Sequence, residues 1–129
     1  MALEGFELQL LRAWLIILTI VEIPNINSHL FQDSKIDGFF STLKNDRPEK
    51  RLWSMVLAFL MLSRLQAAFY TLSPGVLIHT AAVHILEAFV FGYEKLAHGD
   101  NGSNGIFVVI LLNAFWFLSA AVRVNANQL

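Results

Sequence analysis

Four side chains in the middle of the sequence have types and spacing suited to chemistry. Arg64 sits inside an otherwise apolar stretch, WSMVLAFLMLSRLQAAFYTL, and Thr80, His84 and Glu87 follow in the next one. Thr80, His84, Glu87 and Phe91 recur at i, i+4, i+7 and i+11, which places them on one face of a helix. Trp53, Leu57, Leu60, Arg64 and Ala68 share a face in the same way. Between the two stretches, Ser73-Pro74-Gly75 reads as a reversal, so residues equidistant from Pro74 face each other. Arg64 then lies at the depth of His84, and Glu87 lies one turn away. At ~1.5 Å of rise per residue that offset is about 4.5 Å, within the reach of an arginine.

Three chemistries compete for this constellation. His84 and Glu87 could ligate a metal from one helix face, but a carboxylate-bridged pair of metals wants two Glu-x-x-His pairs with further glutamates. Only one pair is present, in reversed order, and Arg64 beside it repels a cation. His84 could serve as a general base oriented by Glu87. Neither a nucleophile with a base and an orienting group nor a glycine-rich phosphate loop or dinucleotide fingerprint accompanies it. The remaining chemistry is structural: an intramembrane charge pairs with its neighbours because facing hydrocarbon is costly. The expectation is therefore a polar cluster of Arg64, His84, Glu87 and Thr80 that holds helices together, with no catalytic residue, cofactor or metal.

The elements that must position this cluster follow from composition. The chain has 129 residues, of which 56% are hydrophobic, more than a soluble domain of this size buries. The apolar residues gather into runs at 8–26, 53–72, 76–93 and 106–124, each near the ~17–25 residues that cross a bilayer as a helix. An all-α integral membrane four-helix bundle is predicted, as one domain over 1–129 with a polar loop at 28–50. Cysteine is absent, which excludes disulfides and thiolate chemistry. A net charge of −1 and the lack of a basic, aromatic-interleaved patch argue against a nucleic-acid partner. The opening MALEGFELQLLRAWL lacks the basic region and cleavage site of a secretory signal, so the first helix is expected to remain as an anchor.

Along the chain, Arg12 and Trp14 read as a snorkelling cation and an interface aromatic, and Arg51 and Trp53 as a second pair of interface anchors. The first helix is expected to stop at Pro24-Asn25-Ile26-Asn27, with Glu22 interfacial rather than buried. In the polar loop Ile36, Phe39, Phe40 and Leu43 recur at helical spacing, which suits a short amphipathic surface helix or a docking face. Asn45-Asp46-Arg47-Pro48 reads as a turn. His79 falls on a different face from His84 and suits a headgroup contact. Gly92 suits close packing or a helix exit. Asn101-Gly102-Ser103 matches a glycosylation pattern that a Gly/Asn/Ser turn also meets by chance. In the last run Asn113 can bond across helices, Ser119-Ala120-Ala121 suit close packing, and Arg123 anchors the end. The cations flanking the long loop place that loop in the cytosol.

Taken in order, Arg12-Ala13-Trp14-Leu15, Arg51-Leu52-Trp53-Ser54, Ser63-Arg64, and then Thr80, His84, Glu87 and Phe91-Gly92 resemble the ergosterol biosynthetic protein 28 family over about Leu11 to Val124. That family consists of small four-span proteins of the endoplasmic reticulum. The resemblance implies a non-catalytic scaffold. Its partners would be the sterol C-4 methyl oxidase, the decarboxylating 3-hydroxysteroid dehydrogenase and the 3-ketosteroid reductase. The mixed-charge loop, the Gly/Asn-rich third loop and the absence of a basic C-terminal ending depart from the family. A divergent relative would keep the bundle and change partners, as an accessory subunit of another complex such as one of the mitochondrial inner membrane. A groove lined by Trp53, Phe59, Phe69, Phe89, Phe91 and Trp116 would add binding of a membrane lipid or sterol.

Overall fold

Helix boundaries follow from local capping. A computed structural model describes residues 5–32, 46–97 and 104–126, which form helices α1 (Gly5–Phe31), α2 (Arg47–Phe69), α3 (Pro74–Ala97) and α4 (Asn104–Ala126). The Asp46 carboxylate caps α2 by accepting the Glu49 N–H at 3.0 Å, with Pro48 in the first turn where its missing N–H costs nothing. From Asp46 on, the expected turn is therefore the start of a helix. At the other end of α2 the Tyr70 N–H reaches the Gln66 carbonyl, and the Ser73 N–H closes a turn on Tyr70. Pro74 then opens α3, where its fixed φ is already helical. The reversal thus occupies 70–73, and Pro74 and Gly75 belong to the helix that follows.

The expected stop at Pro24 is corrected. Helix α1 runs through Pro24 and on to Phe31. Proline removes one backbone hydrogen bond, but where water is scarce the neighbouring groups have no better partner than the helix itself. The Ser28 hydroxyl donates to the Asn25 carbonyl and the Gln32 N–H to the Ser28 carbonyl, so polar residues extend the helix and do not end it. The suggested amphipathic helix at 36–43 and the Asn101-Gly102-Ser103 pattern lie outside the described residues.

The four helices make an all-α membrane bundle, and α2, α3 and α4 are each long and apolar enough to cross a bilayer. Helix α1 is not one of those three. Large side chains such as Phe59, Phe69, Phe89 and Phe115 point outward and are more than half exposed, the expected periphery for a protein solvated by lipid.

The core gathers Leu11 and Leu15 of α1, Ala67 and Ala68 of α2, Leu77 and Ala81 of α3, and Phe117, Ala120 and Ala121 of α4. The small residues let helices approach closely, which is the main route to tight packing in lipid. A smaller cluster of Phe91 and Ile110, with Trp53, Ala88 and Phe107 against it, fills the other end. Gly92 faces Phe107, where a methyl group would meet the ring at ordinary contact distance, so its packing role is permissive.

Packing is uneven around the bundle. Helix α1 lies along α2 and α3 along α4, whereas α2 and α3 touch over a shorter stretch. The α2–α3 hairpin is therefore the thinner seam, with a groove of about 640 Å³ along it. The sequence places the two helices next to each other, and the groove between them is lined by bulky side chains such as Trp53, Phe59 and Leu86.

Candidate functional site

Arg64 is the centre of the site. It lies on the inward stripe of α2 with Leu57, Leu60 and Ala68, and its side chain is only 3% exposed. The facing stripe of α3 buries Thr80, His84 and Phe91 and nearly buries Glu87, whose side chain is 9% exposed. Across the seam the Arg64 Nε–H donates to His84 Nε2 at 3.0 Å, and Nη2 donates to Glu87 Oε2 at 3.5 Å. The depth match about the turn therefore brings the four named residues together.

The shortest carboxylate contact comes from another helix. Arg64 Nη1 donates to Glu22 Oε1 of α1 at 2.9 Å. Glu22 is thus no interfacial residue but part of the cluster. Sequence reasoning missed this partner because nothing in the local pattern fixes how α1 is rotated against α2. One signal was available: Glu22 is the lone acid deep within the first apolar run, and a membrane-depth acid needs a cation.

The hydrogen-bond geometry also fixes the state of His84. Its Nδ1 is 2.8 Å from the Thr80 carbonyl, which can only accept, so Nδ1 carries the proton. Its Nε2 faces a guanidinium N–H, which can only donate, so Nε2 is the bare nitrogen and the imidazole is neutral. The edge of Phe117 closes the site, with ring centroids 4.5 Å apart and planes at 76°. Thr80 contributes its backbone carbonyl, while its hydroxyl donates to the Val76 carbonyl within α3.

Two further polar ties join α1 to its neighbours. Trp14 Nε1–H donates to Asn113 Oδ1 of α4 at 2.8 Å, so this half-buried tryptophan ties α1 to α4. The Arg12 Nε–H donates to the fully buried Thr71 hydroxyl at 3.1 Å, and that hydroxyl in turn donates to the Ala67 carbonyl at 2.8 Å. Arg12 is thereby fixed to the end of α2 and is more than a snorkelling cation. Of the other two anchors, Arg51 is exposed beside a small hollow under His29 and Phe31. Trp53 is half-buried with its ring 6.2 Å from that of Phe91.

At the end of the bundle where the first and last helices meet, the Arg123 guanidinium forks onto Glu7, with Nη1 at 2.6 Å from Oε2 and Nη2 on Oε1. Trp116 Nε1–H adds a longer bond to Glu7 at 3.4 Å. Glu7 precedes the apolar run of α1, and the hydrogen bonds from Arg123 hold its carboxyl below the usual carboxylate range. This pair shows that the starts and ends of the helical chain lie at one end of the bundle.

The groove on the α2–α3 seam is lined by Trp53, Phe59 and Phe91 but not by the other three expected aromatics. Phe69 and Phe89 point outward at 71% exposure each, and Trp116 stacks near Phe117 on α4. His79 borders this groove from the exposed side of α3. Chemically, the central cluster has three guanidinium N–H groups committed to His84, Glu22 and Glu87. That commitment makes it a clasp over three helices. Comparisons with protein-family models, curated proteins and solved structures gave no significant match.

Proposed function

We propose that this protein is a non-catalytic membrane scaffold that assembles partner membrane enzymes. The observation that carries this reading is the Arg64 clasp. Its strongest donors and acceptors are spent on joining α1, α2 and α3, with distances of 2.9 to 3.5 Å. A catalytic base needs a free lone pair next to a substrate, whereas His84 Nε2 is occupied by Arg64 and Phe117 covers the ring. Rigidity at the centre goes with an apolar periphery, and the aromatic groove of about 640 Å³ between α2 and α3 suits a transmembrane helix of a partner.

By its resemblance to the ergosterol biosynthetic protein 28 family, the partners are the sterol C-4 methyl oxidase, the decarboxylating 3-hydroxysteroid dehydrogenase and the 3-ketosteroid reductase. The membrane is then that of the endoplasmic reticulum, with the long loop facing the cytosol and α1 as a fourth span. At ~1.5 Å per residue, the 27 residues of α1 reach about 40 Å, which is sufficient for a bilayer core of about 30 Å. The second reading, an accessory subunit of a mitochondrial inner-membrane complex, is favoured by the departures in the loops and the C-terminal tail.

Co-purification from native membranes in mild detergent separates the two. Recovery of sterol C-4 demethylation enzymes supports the first, and recovery of respiratory or ATP synthase subunits the second. Turnover of a sterol, lipid or nucleotide by the purified protein alone would contradict both.

A further inference from the structure

A second cavity, of about 760 Å³, opens between α1 and α4 and reaches inward to Trp53, Glu87 and Phe91, which it shares with the aromatic groove. Among the described residues no Cα of α1 comes within 8 Å of one in α4. Side chains bridge the gap toward the terminal end, through Trp14 with Asn113 and Glu7 with Arg123 and Trp116. Beyond Asn113 the helices leave a slot whose walls are apolar at Leu18 and Val21 on one side and Val109 and Ile110 on the other, with Asn25, Ser28 and His29 of α1 adding polar groups farther along. Val21 and Val109 are 55% and 40% exposed, which marks the mouth as opening on the lipid-facing side. The inner end of the slot is polar and reaches Glu22, Arg64 and Glu87.

The cluster leaves one oxygen unused. Glu22 Oε1 accepts from Arg64, but Glu22 Oε2 is buried and has no hydrogen-bond partner among the described residues. A buried acceptor without a donor is costly, so the slot is complementary to a group that brings one. Charge narrows the class further. At the inner end two carboxyl groups face the one guanidinium of Arg64, whose N–H groups are committed to them and to His84. A phosphate or carboxylate head would meet carboxyl oxygens and a guanidinium already in use there, while His29 lines the slot farther along α1. The walls call for a hydrocarbon body, and the volume falls within the ~300–1,000 Å³ typical of ligand pockets.

We propose that this slot binds one membrane amphiphile with an apolar body and an uncharged hydroxyl head that donates to Glu22 Oε2. Sterols, diacylglycerols and long-chain alcohols share that chemistry. The slot adjoins the α2–α3 groove and shares Trp53, Glu87 and Phe91 with its lining, but Leu18, Val21, Val109 and Ile110 line the slot and not the groove, and the proposal does not depend on the scaffold reading.

The test uses the full chain in phosphatidylcholine nanodiscs. It is photolabelled with diazirine probes built on a free 3-hydroxysterol, its O-acetyl derivative, a diacylglycerol and a phosphatidate. Crosslinks are expected on 18–22 and 106–113, roughly tenfold weaker for the O-acetyl sterol, which cannot donate, and weak for phosphatidate. Competition of unlabelled sterol, diacylglycerol and alcohol against the strongest probe identifies the source of the hydroxyl. Val109→Trp and Val21→Phe, which fill the mouth from exposed positions, should abolish labelling while thermal unfolding remains cooperative. If both variants fail to fold, the ratio of hydroxyl to O-acetyl labelling on the unaltered chain decides alone. The proposal is overturned by equal labelling with the O-acetyl or phosphatidate probe, by crosslinks confined to the α2–α3 groove, by labelling no stronger than a phosphatidylcholine probe gives, or by labelling that survives in folded mouth-filled variants.

Discussion

Arg64 with Glu22 and Glu87 at mid-bundle, and Arg123 with Glu7 at the terminal end, use the same functional groups under different burial. The Arg64 side chain is 3% exposed and its acids 14% and 9%, whereas Arg123 and Glu7 are 25% and 27% exposed. The outer pair has the tighter geometry, a two-pronged fork at 2.6 Å on one prong. It is nonetheless expected to matter less, since a partly exposed ion pair contributes only ~0–1 kcal/mol while solvent screens it. The inner clasp has a bond of 3.5 Å among its contacts, yet removing one member strands the others where water cannot reach them. Burial, more than distance, decides the consequence of losing a partner.

The largest expected effect, and the sharpest test of that contrast, is at Arg64. Arg64→Ala should destabilise the bundle by about 3–5 kcal/mol, the soluble-protein range for breaking a buried pair, and lower the yield of folded protein. In double-mutant cycles on thermal unfolding in detergent, Arg64 should couple more strongly to Glu22 at 2.9 Å than to Glu87 at 3.5 Å. Additive losses for both pairs would dissolve the clasp.

An intermediate effect is expected where an uncharged bond joins α1 to α4. Trp14→Phe keeps the ring but removes the donor to Asn113, and should cost up to about 1 kcal/mol, in line with interhelical bonds in membranes. A loss matching that of Arg64→Ala would show that charge is not what separates the inner clasp from the other ties.

The smallest effect belongs to Arg123→Gln, which should lower Tm slightly at low salt and less at high salt. A carboxyl held below its ordinary value contributes stability above the unfolded pKa, about 4.3, and loses it as pH falls through the folded one. Tm of the unaltered protein should therefore decline on acidification below about pH 5, and Arg123→Gln should flatten the part due to Glu7. An unchanged slope would remove Glu7 from the pairing.

Much of this was legible in the residues because it rests on periodicity and on depth. The inward stripes Leu57, Leu60, Arg64, Ala68 and Thr80, His84, Phe91 follow from the pitch of a helix, and the Arg64–His84 contact follows from counting outward from the turn. Pro24 misled because a helix-breaking residue is weighed against water, and within a bundle the backbone has no such alternative. The apparent anchors Arg12 and Trp14 misled for a related reason: residue type indicates how near the interface a side chain belongs, not which helix it meets there.

By itself, the sequence determined that this chain makes helices, that they are apolar enough for a membrane, and that a charge lies buried in their midst, since composition and pitch are local properties. Only the tertiary structure decided that α1 supplies Glu22 to Arg64, that α1 lies along α2 and α3 along α4 with a thin seam between the pairs, and that α1 and α4 stand apart around a slot. Those features depend on how each helix is rotated about its own axis. That rotation is set by the fit of small against large side chains between helices far apart in sequence.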